Sequence, residues 1–198
     1  MEDFQLYFTL GLEHVLDLEG YDHALFLIAL TITFQIKEWK RLLGLVTFFT
    51  VGHTISLYLA SKEILPVSAG LVEVLIPATI FVTAAFVFYN ALKNRVAHTG
   101  SILLWFTTLL FGIVHGFGFG RYYNQINDEG GFGPLLSFAL GIEVAQIIIV
   151  VGVLLIAVGL PYLLKVKNTK LVVLISIAIA LISLYLTLER GLEYFRNI

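Results

Sequence analysis

The chain has 198 residues, of which 59% are hydrophobic and 13% charged, against about 25% charged in soluble domains. That balance excludes a soluble domain, and twelve Lys and Arg with no basic patch exclude nucleic acid as a partner. The lack of cysteine removes disulfides, thiolate ligands and thiol nucleophiles, and leaves imidazole and carboxylate as the strong ligands.

In chain order, segment 4–18 is amphipathic and carries His14. No basic stretch with a following apolar run and cleavage site marks a signal peptide. A continuous helix from there into the next apolar stretch would put His14 and His23 on opposite faces. A break at Glu19-Gly20 turns both toward one place, which predicts a short interfacial or re-entrant helix before the first span. A spanning helix needs about 20 apolar residues, and six stretches qualify, at about 21–36, 42–61, 68–92, 101–120, 134–162 and 171–189. The first is short. The fifth is too long to stand straight and is expected to tilt or to end in an interface. Charged or Gly/Pro-containing segments separate them, and no internal repeat or long linker divides the chain. The expected architecture is an all-α polytopic membrane helix bundle. It has six transmembrane helices plus the short N-terminal helix, in one integral membrane domain over 1–198.

Orientation follows from the basic residues. Loops one-two, three-four and five-six carry Lys37, Lys40, Arg41, Lys93, Arg95, Lys165, Lys167 and Lys170, whereas the other side has Lys62, Arg121, Arg190 and Arg196. The positive-inside rule then puts these loops in the cytoplasm and both termini outside. Most acids fall outside, and an acidic face concentrates cations. Solvated loop charge explains the same pattern equally well.

Asp22, His23, His53, Glu73, His115 and Glu143 lie in or at the mouths of these apolar stretches, with no Lys or Arg inside them for balance. An ionisable group at membrane depth costs roughly 2.5–3.5 kcal/mol on insertion scales, so each marks a functional site by default. With the predicted topology all six fall in the outer half of the membrane, where His14 can join them. Thr47, Thr50, Thr54 and Ser56 give the His53 helix a polar side, and Glu143 and Gln146 share a face at i, i+3. Pro77 cannot donate to the Glu73 carbonyl, which leaves that oxygen free. Gly112, Gly116 and Gly120 recur every four residues beside His115, allowing close helix packing; the glycine-rich run 116–120 is also expected to loosen that helix end. His98, in a charged loop, is read as an ordinary surface histidine. Two readings of the cluster stand: imidazoles pairing with acids as a polar core, or a cation held between them. Three carboxylates gathered without Lys or Arg repel one another, which favours a divalent metal or shared protons.

Several stretches carry a resemblance: Gly11-Leu12-Glu13-His14 with Gly20-Tyr21-Asp22-His23, then the run from Thr47 through Gly52-His53-Thr54 to Ser56, then Leu71-Val72-Glu73, then Gly112-Ile113-Val114-His115-Gly116. Together they resemble the HupE/UreJ family of small bacterial membrane proteins, associated with nickel supply to hydrogenase and urease. The resemblance implies a bacterial inner-membrane protein that binds or transports a transition metal. The ligands would be His23, His53, His115, Asp22, Glu73, Glu143 and His14, and the ion Ni²⁺ or Zn²⁺. It also implies maturation partners or a homo-oligomer within the lipid bilayer. The alternative is a membrane-embedded metal-dependent hydrolase with a His-ligated zinc near the extracytoplasmic face.

Overall fold

The computed structural model describes residues 2–17, 20–65, 67–93, 102–126, 131–165 and 167–196. Among them there is helix and no strand. The helices are α1 (Glu2–Leu16), α2 (Tyr21–Thr31), α3 (Trp39–Ser61), α4 (Ala69–Leu92), α5 (Ile102–Ile126), α6 (Phe132–Leu164) and α7 (Asn168–Arg196), with a 3-10 turn at Ile36–Glu38 before α3. His98, Arg95, Pro66, Asp128 and Glu129 lie outside the described residues, as does Glu19 of the expected break.

Among the described residues, five helical segments, at Ile36–Ser61, Ala69–Leu92, Ile102–Gln125, Phe132–Leu163 and Asn168–Arg196, are long and apolar enough to cross a bilayer. The sequence led us to expect six. The stretch 21–36 is the one that fails, because its helix stops at Thr31 after 11 residues. That is about 16 Å of helix, half of a hydrocarbon core about 30 Å thick. Thr31, Ile32 and Thr33 form a β-branched run with poor helix propensity. The chain restarts through a capping box in which the Gln35 N–H donates to Glu38 Oε2 at 3.1 Å. Hydropathy averages over such a stop; backbone geometry does not.

The helices associate chiefly as three pairs, α3 with α5, α4 with α7 and α1 with α6, and α2 packs against α4 and α6. The first pair is set by small residues. A Cβ at Gly112 would lie 2.4 Å from the Phe49 carbonyl oxygen, and one at Gly116 would lie 2.2 Å from that of His53. Backbones this close tolerate only glycine, which is the GxxxG logic of membrane helices. Contrary to the expected loosening, α5 stays helical through 116–120 and on to Ile126. The α1–α6 crossing uses the same device twice, since Gly11 abuts the Phe138 carbonyl and Gly141 that of Phe8.

Most of the short α2 is internal. His23, Phe26, Leu27, Ala29, Leu30 and Thr31 are all buried, and Phe26 stacks on Phe111 of α5 with ring centroids 3.8 Å apart. Phe49, Phe111, Phe138 and Leu30 continue the apolar core. Large outward side chains such as Leu155, Leu174, Leu181 and Leu188 are more than half exposed. An apolar outside around a packed interior is what a bilayer-embedded bundle requires.

Candidate metal centre

The site forms where α1, α2, α3 and α5 meet. The helix ends at Leu16 and restarts at Tyr21, and that break lets α1 and α2 turn His14 and His23 toward one another, with ring centroids 4.8 Å apart. His53 comes from α3, 5.7 Å from the His14 ring. His115 comes from α5, 4.5 Å from the His23 ring. Four of the five histidines therefore converge. Donor atoms of His14, His23 and His53 lie within 4.8 Å of one another, and so do those of Asp22, His23 and His115. Ligands around a zinc-sized ion sit about 2.0–2.1 Å from it, and Asp22 already lies 3.3 and 3.5 Å from nitrogens of His23 and His115, a spacing suited to sharing one ion.

Hydrogen bonding shows what these rings lack. Burying a polar atom without a partner costs about 1–3 kcal/mol. Yet His14 Nε2, both nitrogens of His23, both nitrogens of His53 and His115 Nε2 are buried without a hydrogen-bond partner. His115 is the most informative. Its Nδ1 lies 3.2 Å from the Phe111 carbonyl oxygen, and a carbonyl only accepts, so Nδ1 carries the proton. In a neutral ring Nε2 then holds a bare lone pair, and it faces Asp22 Oδ2 at 3.5 Å. Two acceptors pointed at one another need a positive charge between them, which either a metal ion or a second proton on the ring supplies. A backbone carbonyl fixing the far nitrogen is also the usual outer-shell arrangement of a metal-binding histidine. Asp22 Oδ1 accepts from the His23 backbone N–H at 2.9 Å and lies 3.3 Å from His23 Nδ1, which pins the carboxylate against the rings.

A cavity of about 800 Å³ reaches the centre. Asp22, His23, His115 and His14 line it, together with Glu13, Asp17 and Glu73, and none of its lining residues is Lys or Arg. Its wall thus favours cations.

Two of the singled-out acids are placed elsewhere. Glu73 is exposed on the cavity wall, and neither donor triad includes it. The carbonyl that Pro77 leaves free is taken by Arg190 of α7, whose Nη1 donates to Glu73 O at 3.2 Å. Glu143 accepts a hydrogen bond from Thr47 Oγ1 at 2.6 Å, and one helical turn on Thr50 Oγ1 donates to Gln146 Oε1 at 3.1 Å. The shared face of Glu143 and Gln146 is real, but its partners are hydroxyls of α3. Sequence reasoning also missed Glu13 and Asp17 on the cavity wall and the Phe111 carbonyl behind His115. The i−4 spacing of Phe111 was visible; Arg190, 117 residues from Glu73, gave no local signal.

No curated protein and no solved structure gives a significant match to the chain. A family model described as HupE / UreJ protein matches residues 1–190, a span that holds every residue of the His/Asp centre, and the chain belongs to the HupE/UreJ family.

Proposed function

We propose that the chain is a transition-metal permease of the bacterial inner membrane, in which Asp22, His14, His23, His53 and His115 receive the cation. The buried, unpartnered nitrogens of His14, His23 and His53 beside the His115–Asp22 pair carry this reading, because a proton shared by His115 and Asp22 satisfies that pair alone and leaves the other rings open. Nickel is the cargo favoured by the family's association with nickel or cobalt transport and with urease and hydrogenase maturation. Imidazole and carboxylate suit Ni²⁺ and Zn²⁺ alike. In this scheme the acidic cavity opens to the extracytoplasmic side, consistent with the basic loops facing inward. Glu73 acts in attraction at the wall rather than in coordination, and Glu143 lies outside the binding set.

The test is uptake of Ni²⁺ into vesicles reconstituted with the full chain. Saturable uptake that disappears in His115→Ala, with a monodisperse and helical variant, supports transport. A tightly held stoichiometric ion that survives chelation, with no flux in wild type, overturns transport and leaves a catalytic or structural metal.

A further inference from the structure

The donors fall into two triads, and His23 belongs to both: His14, His23 and His53 make one, and Asp22, His23 and His115 the other. The triads differ in access at one ligand: Asp22, His23, His115 and His14 all line the cavity, whereas His53 does not and is 0% exposed. They also differ in charge, since Asp22 is the single carboxylate in the two sets.

A neutral imidazole has a lone pair on one of its two ring nitrogens, so His23 serves one ion at a time. One carboxylate also cannot neutralise two dications held a few ångströms apart. We propose that the centre holds a single transition-metal dication that exchanges between the triads, with Asp22, His23 and His115 as the loading station and His14, His23 and His53 as the deeper one. This rests on the metal reading above. His23 is the ligand kept throughout. As the ion moves, bonds to Asp22 and His115 are given up while bonds to His14 and His53 form, and no electron changes hands. A shared ligand means the ion is never without protein donors in a site where bare charge is costly. The unpartnered nitrogens of His53, enclosed behind the cavity, are the donors that receive it.

The experiment measures Ni²⁺ stoichiometry and affinity on the detergent-purified full chain. Wild type is expected to bind one equivalent. His53→Asn and His115→Asn should each still bind one equivalent, about tenfold more weakly, through the station left intact, and His23→Asn should bind none. Two equivalents in wild type would overturn the exchange, as would loss of all binding in either His53→Asn or His115→Asn. No binding in wild type would overturn the metal reading with it, so the two failures differ. X-ray absorption on wild type gives a readout that needs no variant to fold. Two to three imidazoles per nickel fit one station at a time, whereas four imidazoles with a carboxylate mean one composite site.

Discussion

His115 on α5 and Glu143 on α6 both place an ionisable group on a helix long enough to cross a bilayer, but their surroundings differ. Glu143 has found a donor in Thr47, and Gln146 beside it accepts another from Thr50 at Oε1, although its buried Nε2 has no partner. Each bond ties α6 to α3, as polar side chains do between membrane helices. His115 and the three rings around it retain buried nitrogens with no partner. A polar group that closes its hydrogen bonds within the protein is part of the framework. A cluster that leaves them open while burying the atoms is shaped for something that arrives later.

Removing the shared ligand should break this contrast most severely. His23→Ala should weaken Ni²⁺ binding at least about 100-fold, since even outer-shell changes cost 10–100-fold; titration calorimetry reads the loss, and near-wild-type affinity would contradict the shared role. Next comes the framework beneath the rings. Gly116→Leu drives a side chain into the His53 carbonyl and the Ser56 hydroxyl, whose oxygens stand 2.2 and 2.1 Å from the new Cβ. Overpacking of this kind costs about 1–3 kcal/mol or more, so the melting temperature in detergent should fall and His53 should be displaced with it. Unchanged melting would mean the α3–α5 contact is looser than described.

Acid sharpens the comparison at a smaller scale. The ligand imidazoles must be unprotonated to bind a metal, so protons compete and affinity should fall as pH drops. The loss should approach about tenfold per pH unit for each ligand that must give up a proton, and a pH-independent affinity would remove imidazole from the site. The smallest effect belongs to the framework pair. Thr47→Val removes the donor to Glu143 and should cost about 0.6 kcal/mol, the average for such bonds in membranes, with Ni²⁺ affinity unchanged. A large loss of affinity in this variant would bring Glu143 into the cation's path.

The centre was legible in the sequence because its residues stand out against an apolar background. Asp22, His23, His53 and His115 are costly in a membrane wherever they point, so depth alone marked them. His14 needed one more step, the break after α1, and Gly20 supplied the hint. The glycines at 112 and 116 likewise announced a close helix pair, though not that α3 was the partner. What stayed hidden depends on partners far apart in the chain. Nothing near Glu143 indicates that Thr47 will satisfy it, and nothing near Glu73 points to Arg190. The count of spans failed for a related reason: an apolar run says that a segment avoids water, and Thr31-Ile32-Thr33 decides where its helix stops.

Anomalous diffraction from crystals soaked in Ni²⁺ tests the central claim most directly. The account predicts one strong peak about 2.0–2.1 Å from at least three donors drawn from Asp22, His14, His23, His53 and His115. A peak held elsewhere, or none while His115 Nε2 still faces the Asp22 carboxylate, would contradict it.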